Sequence, residues 1–127
     1  ITSGSILIST NDSTVYDPVS AAFGLDIRGT ASNRWEIATA DDISASSASA
    51  DLQAAANGIL SNAFGNLYGL TMRASGAIAY FHPNDVLATD IVLAWDNNRS
   101  ASTRPTIVLR ALGDGFVVFT GDEGIFR

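Results

Sequence analysis

The sequence predicts a mainly β fold, an antiparallel sandwich or jelly-roll-like barrel of about eight short strands with one amphipathic α-helix. Three observations predict it. Short runs rich in Val, Ile, Leu and Phe are separated by turn residues such as Gly, Asn and Asp. Apolar and polar residues alternate strictly from Phe23 to Arg28, as in a strand with one buried face. Apolar residues recur at helical spacing in one region only, near residues 49–64.

The N-terminal part of the chain is predicted to supply three strands. Residues 5–9 form the first, because they are mostly apolar or hydroxyl-bearing. The alternating run 23–28 and the shorter run Trp35–Ile37 form a hairpin. Residues 30–33, which are small and polar, provide its turn.

Residues 49–64 are predicted to form the one helix, since Leu52, Ala56 and Leu60 recur at helical spacing. Ser47 or Ser49 is available as the N-cap. Gly58 lies inside the pattern and costs about 1 kcal/mol relative to Ala, so the helix either stops there or continues to Gly65.

The chain after this helix is predicted to be a β meander. Residues 74–76 join two of its strands, and Gly113-Asp114-Gly115 forms a second tight turn. The connection from Ile37 to Leu67 is too long for a hairpin, so we expect it to cross over, which favours the jelly-roll version. The predicted strands are 67–73, 77–81, 90–95, 106–112 and 116–120.

The length of 127 residues predicts one domain, 1–127, that needs no disulfide or metal to complete its core. Charged residues make up 16% of the chain, below the usual value of about 25%. Fourteen Ser, ten Thr and eight Asn instead solvate its surface. Secreted, cell-surface and virion proteins share this neutral, hydroxyl-rich composition, so we expect an extracellular or virion-surface location.

The charge composition excludes several classes of function. A net charge of −6 argues against binding to nucleic acid or anionic membranes, which requires clustered Lys and Arg. The chain has no Lys for a Schiff base or P-loop and no Cys for thiolate chemistry. No apolar run approaches the 18 or so residues of a membrane span, so we expect no membrane insertion. The first residue is Ile1 rather than Met, which fits a processed protein or a fragment.

No catalytic constellation is predicted, so we expect a protein that is not an enzyme. His82 is the only imidazole and would have to serve any Ser-His-Asp hydrolase, but the Gly-x-Ser-x-Gly motif is absent. A strand-end His hydrogen-bonded to a neighbour is the more ordinary role. Asp41 and Asp42 are adjacent, so on an extended segment their carboxylates point apart, as in a solvated loop.

The loop 96–105 is the predicted ligand-binding site. It combines an aromatic plane for stacking with amide, carboxylate and guanidinium groups for sugar hydroxyls. Trp35 or Tyr80 is available as a second aromatic platform. Trp95 also continues an apolar strand, so a role in the core is the alternative. The predicted binding residues are Trp95, Asp96, Asn97, Asn98, Arg99 and Arg104.

No cofactor is predicted, and calcium is the one ion that the sequence leaves open. Asp and Asn oxygens are suitable calcium ligands, and they cluster at residues 96–98 and among Asn11, Asp12 and Asp17. Neither cluster has the spacing of an EF-hand. Asp and Asn also favour turns without any metal.

Two classes of function remain. The first is a non-enzymatic structural or assembly subunit of an extracellular or virion particle, such as a decoration, fibre or surface-filament domain, that acts through symmetric contacts. Its partners are then copies of itself or neighbouring subunits, and Ile125 and Phe126 of the apolar C-terminal segment are the predicted interface. The alternative is a carbohydrate-binding, lectin-like module whose partner is a glycan, with or without calcium.

Overall fold

A computed structural model of the chain describes residues 6–10, 18–30, 34–62, 65–73, 78–96 and 104–121. Strands predominate over helices there, so the predicted mainly β class is confirmed. The α-helices are α1 (Pro18–Ala22), α2 (Ala40–Ser44) and α3 (Ala50–Leu60), and a 3-10 helix spans Pro83–Asp85. The strands are β1 (Ile6–Thr10), β2 (Ile27–Thr30), β3 (Arg34–Ile37), β4 (Ser61–Asn62), β5 (Gly65–Asn66), β6 (Thr71–Arg73), β7 (Ala79–Phe81), β8 (Ile91–Asp96), β9 (Pro105–Leu112) and β10 (Gly115–Thr120).

Six of these strands form the main sheet, in the order β1-β10-β9-β8-β3-β6. Neighbours pair antiparallel except β1 and β10, which run parallel with Ile6 beside Phe116 and Thr10 beside Thr120. The predicted hairpin between β9 and β10 is confirmed, and Gly113 takes a φ of +57° in its turn, a conformation that favours glycine. The other described strands form two small sheets, β2–β7 and β4–β5.

The other two predicted hairpins are wrong. Strand β2 pairs with β7, whereas β3 lies between β6 and β8 in the main sheet. Residues 23–26, predicted as strand, follow α1 as a turn and an irregular segment in which Leu25 is fully buried. The reason is that alternation identifies which side chains are buried, whereas the choice of partner strand depends on contacts far along the chain.

The predicted helix is confirmed as α3, but two short helices that the sequence did not predict precede it. Ser49 caps α3, because its hydroxyl accepts from the Leu52 N–H at 3.1 Å. Helix α2 begins with a capping box, in which the Thr39 hydroxyl accepts from the Asp42 N–H at 3.1 Å and the Asp42 carboxylate accepts from the Thr39 N–H at 2.8 Å. The Asp41–Asp42 pair therefore lies in a first helical turn and not in a loop.

The connection from β3 to β6 corrects another expectation. It carries α2 and α3 over one face of the main sheet and then returns to the strand position next to β3. Helix α3 packs against β8 and β9 on that face. A crossover is therefore not required, because two strands separated by a helical excursion can still be antiparallel neighbours.

The two faces of the main sheet bury different cores. The β-side core lies between the main sheet and β2–β7, and comprises Leu25, Phe81, Val108, Val117 and Phe119. The helix-side core lies under α2 and α3. Its largest members are Trp35, Ile37, Ile43, Leu52, Leu60, Ile78, Ile91, Leu93, Ile107 and Leu109. Because Val108 alternates with its neighbours on β9, this strand contributes to both cores.

A buried ion pair ties three separate segments to β9. The Arg110 guanidinium donates to both Asp90 carboxylate oxygens, from Nε at 2.9 Å and from Nη2 at 2.8 Å. It also donates to the backbone carbonyls of Phe23 and Asp85. Asp90 in turn accepts from the Leu87 N–H at 2.8 Å. We call this arrangement the Arg110 clamp; it fixes the turn after α1 and the 3-10 helix against the sheet.

Candidate functional site

Asp96 and Arg104, at the two ends of the predicted binding loop, are in contact. The Arg104 guanidinium donates to the Asp96 carboxylate at 3.1 Å, and the Asp96 N–H donates to the Arg104 carbonyl at 2.9 Å. The Asp96 side chain is 2% exposed, whereas that of Arg104 is 47% exposed. One N–H of the Arg104 guanidinium is therefore held by a buried carboxylate, while about half of the side chain stays exposed.

Trp95 has a different environment from Arg104. It is half-buried and packs against the helix-side core. Arg104 instead lies over the ring of Tyr80 on β7, with its Cζ atom 5.3 Å from the ring centroid. The structure thus places Trp95 and Arg104 in separate surroundings, although both belong to the predicted site.

The remaining predicted site residues lie outside the described part of the chain. They are Asn97, Asn98 and Arg99 of the loop and Ile125 and Phe126 of the predicted interface. Most of the candidate calcium ligands also lie outside the described part. Their predicted roles stay predictions. Trp35, considered as a second platform, is 2% exposed and belongs to the helix-side core, whereas Tyr80 is half-buried and borders a pocket.

This pocket, which we call the arginine pocket, has a cavity of about 420 Å³ and opens to solvent. Arg28 from β2 and Arg104 flank it, and Tyr80 and His82 come from β7 and the residue after it. Sequence reasoning considered Tyr80 and Arg104 but missed Arg28, because an exposed Arg on a strand is usually a solvated side chain. The lining residues are Arg28, Tyr80, His82, Pro83, Asn84 and Arg104.

Local structure positions the pocket side chains. Tyr80 pairs with Gly29 across the β2–β7 sheet, and a Cβ atom at position 29 would lie 3.5 Å from the Tyr80 hydroxyl. The His82 backbone N–H donates to the Asp26 carbonyl at 2.8 Å. Pro83 then starts the 3-10 helix, which the Arg110 clamp holds through the Asp85 carbonyl. The pocket wall is therefore anchored in the fold.

Arg28 and His82 are in direct contact, with 2.7 Å between Arg28 Nη1 and His82 Nε2. The other ring nitrogen, Nδ1, accepts from the Asn84 backbone N–H at 3.3 Å. The imidazole therefore lies between Arg28 and the start of the 3-10 helix, with one ring nitrogen facing each. His82 thus serves as a hydrogen-bond partner that orients Arg28.

A second cavity, of about 300 Å³, lies on the helix side of the main sheet, and its lining includes residues of all six strands, from Ile8 of β1 at one edge to Met72 of β6 at the other. We call it the sheet-edge cavity. Its lining is apolar except for Thr120, and it includes Ile8, which is 50% exposed. The other lining residues are Ile37, Ile59, Leu60, Leu67, Leu93, Ile107, Phe116 and Val118. Sequence reasoning did not predict it, because the cavity depends on how far α3 covers the sheet.

Among the described residues, no group of three or more His, Cys, Asp and Glu side chains is placed to hold a metal ion. Within the same ranges, none of the helices combines the length and hydropathy needed to cross a bilayer.

Comparison of the chain with protein-family models, with curated proteins and with solved structures finds no match. The chemistry of the two cavities is therefore the basis for the functional proposal.

Proposed function

We propose that the chain is a non-enzymatic structural or assembly subunit of an extracellular or virion particle, a decoration, fibre or surface-filament domain that acts through symmetric contacts between copies. The observation that carries this proposal is the sheet-edge cavity, an apolar opening whose lining reaches the edge strand β1 through Ile8. The extracellular or virion location draws its support from the low charge and hydroxyl-rich composition.

The edge strand supplies the first half of a strand-addition interface. Strand β1 is the last strand on its side of the main sheet, with β10 as its neighbour among the described strands. An edge strand presents backbone N–H and C=O groups that another chain can pair with. Ile8 stands half-exposed at the middle of this edge. A strand added here would gain backbone hydrogen bonds and cover that side chain.

The sheet-edge cavity supplies the second half, and it favours an apolar occupant. None of its lining residues is charged, so a partner side chain entering it must be apolar to avoid burying an unpaired polar group. The chain itself carries a short segment of this chemistry, Gly124-Ile125-Phe126. We therefore propose that the C-terminal segment of a second copy pairs along β1 and places Ile125 or Phe126 in the cavity.

Deletion of residues 124–127 tests this proposal. We expect the native mass of the full chain, measured by light scattering over a concentration series, to exceed that of one chain and to fall to one chain after the deletion. Ile8→Lys should have the same effect, because a charge on the edge opposes strand addition. Leu87→Lys is the matched control, since Leu87 is 51% exposed and does not line the sheet-edge cavity.

Two outcomes would contradict the proposed occupant. A full chain that stays monomeric at every concentration would remove the assembly function. If deletion of residues 124–127 also lowered the stability of that monomer, the C-terminal segment would occupy the sheet-edge cavity of its own chain. That geometry is available because β10 ends at Thr120, beside Thr10 at the end of β1.

For the fold, we propose the sandwich version of the prediction. Its support is the packing of β2–β7 on the main sheet through the β-side core, where Phe81 lies with Val108, Val117 and Phe119. In this proposal, β2–β7 is a short second β layer on one face of the main sheet.

A carbohydrate-binding module, with or without calcium, is the second candidate function. The arginine pocket favours it, because the pocket combines an aromatic side chain with several donors and shares Arg104 with the predicted binding loop. Binding of the labelled protein to an array of glycans, in calcium and in chelator, tests this candidate.

In that experiment, Arg104→Gln should abolish capture while lowering the free energy of unfolding by about 1–3 kcal/mol, because Gln removes the guanidinium that pairs with the buried Asp96 carboxylate. Equal capture by the wild type and this variant would exclude the arginine pocket, and an array without signal would exclude the candidate.

A further inference from the structure

The arginine pocket concentrates positive charge in an acidic protein. The chain has seven cationic residues and a net charge of −6, yet two of its arginines flank one cavity of about 420 Å³. Such a concentration in a concave site favours an anionic ligand, because charges in a cleft act together on what enters it.

Arg28 is the charged side chain of this pocket that pairs with no carboxylate among the described residues. It is exposed and contacts the His82 ring. The contact with Nε2 at 2.7 Å is made through Nη1, and no other described residue occupies the remaining guanidinium donors. His82 thus fixes the direction of Arg28 without neutralising its charge.

The charges at the pocket fit an anionic ligand. Arg28 and Arg104 are the arginines of the lining, and Asp96 pairs with Arg104 at 3.1 Å. Arg28 contacts no carboxylate among the described residues, so its guanidinium is the charged group that an anionic ligand would meet. A carboxylate is a planar monoanion that a guanidinium binds through two parallel hydrogen bonds, whereas a phosphate group carries up to two charges.

The other lining groups suit hydroxyls. Tyr80 has a phenolic hydroxyl, and Asn84 offers an exposed amide with both donors and an acceptor. The Arg104 guanidinium lies over one face of the Tyr80 ring, so the ring position is fixed. A ligand held by Arg28 through a carboxylate would therefore meet hydroxyl-binding groups across the same cavity.

We propose that the arginine pocket binds a carboxylate-bearing sugar of the uronic acid class, with Arg28 on the carboxylate and Tyr80 and Asn84 on ring hydroxyls. This inference rests on the second candidate function and names its ligand class. It is independent of the assembly function, which involves the opposite face of the main sheet.

Titration of the ¹⁵N-labelled full chain, followed by NMR, tests the proposal. The probes are galacturonate, galactose and inorganic phosphate, each at the same ionic strength. We expect galacturonate to shift the amide signals of Arg28, Tyr80, His82 and Arg104, and to bind at least about tenfold more tightly than the other two probes. Arg28→Gln should weaken galacturonate binding at least about tenfold. Arg73→Gln, which changes an exposed Arg on β6, should leave it unchanged.

Each other outcome overturns the inference in a distinct way. Equal binding of galactose would keep a sugar-binding module but remove the acidic class. Equal binding of phosphate would reduce the pocket to a site for any anion. Equal effects of Arg28→Gln and Arg73→Gln would place the ligand elsewhere, and no binding of either sugar would remove the second candidate as well. Spectra of both variants with unchanged dispersion establish that neither substitution unfolds the chain.

Discussion

Gly121→Ala is expected to destabilise the protein by about 3 kcal/mol or more, which is a large part of the 5–15 kcal/mol that usually separates folded from unfolded domains. A Cβ atom at position 121 would overlap the carbonyl oxygen of Ala79 and lie 2.8 Å from its carbonyl carbon. Backbone atoms at such a contact cannot rotate away as a side chain does, so the strands themselves would have to separate.

The close approach at Gly121 joins the β2–β7 layer to the main sheet. The Ala79 N–H donates to the Gly121 carbonyl at 3.0 Å, and the Gly121 N–H donates to the Thr106 carbonyl at 2.8 Å. A separation that accommodates a methyl group would weaken the first of these bonds and open the β-side core. Chemical denaturation followed by circular dichroism measures the loss.

Gly58→Ala is the matched control, because a Cβ atom built at this position inside α3 meets nothing within 4 Å beyond the adjacent residues and backbone of its own helix. It should stabilise the chain by about 0.5–1 kcal/mol, since alanine is the better helix former. The two Gly→Ala substitutions would then change the free energy of unfolding in opposite directions. If Gly121→Ala were as stable as the wild type, the contact with Ala79 would not be the constraint that we infer.

The second large effect is expected for Asp90→Ala, which should cost about 3–5 kcal/mol. The Arg110 side chain is 11% exposed and that of Asp90 is 1% exposed, so the deletion leaves a buried guanidinium without its carboxylate. It also removes the acceptor of the Leu87 N–H. The clamp would then release the segments that it holds, and the free energy of unfolding measures the cost.

Two further variants separate the clamp from a general loss of an acidic residue. Asp90→Asn keeps an acceptor for the Leu87 N–H but not the charge, so its stability should lie between those of the wild type and Asp90→Ala. Asp51→Ala removes an exposed carboxylate in the first turn of α3 and should cost only about 0.5 kcal/mol. Equal losses for Asp90→Ala and Asp51→Ala would show that the clamp does not stabilise the fold.

The candidate sites could be predicted only in part. The sequence identified Asp96 and Arg104 as neighbours in one loop, and the structure shows that they pair at 3.1 Å. It did not identify Arg28, which is 54 residues from its partner His82. No local pattern links two residues so far apart. The sheet-edge cavity could not be predicted from the sequence either, because it arises where α3 leaves part of the apolar face of the main sheet uncovered.

The sequence by itself determined the elements whose signals are local. The Val- and Ile-rich runs around Gly113 specified β9, β10 and their turn, and Ser49 with the spacing of Leu52, Ala56 and Leu60 specified α3. These features depend on residues within a few positions of one another. Their physical causes, turn conformation, capping and side-chain periodicity, are complete within a short segment.

Only the tertiary structure decided which strands pair and which side chains meet. Strand β2 takes β7 rather than β3 as its partner, and β1 joins β10 in parallel across most of the chain. Such pairings are selected by the total apolar surface that each arrangement buries, as at Leu25 and Phe119 in the β-side core. The buried apolar surface comes from residues that are distant in sequence. Its total therefore depends on how the sheets and helices pack together.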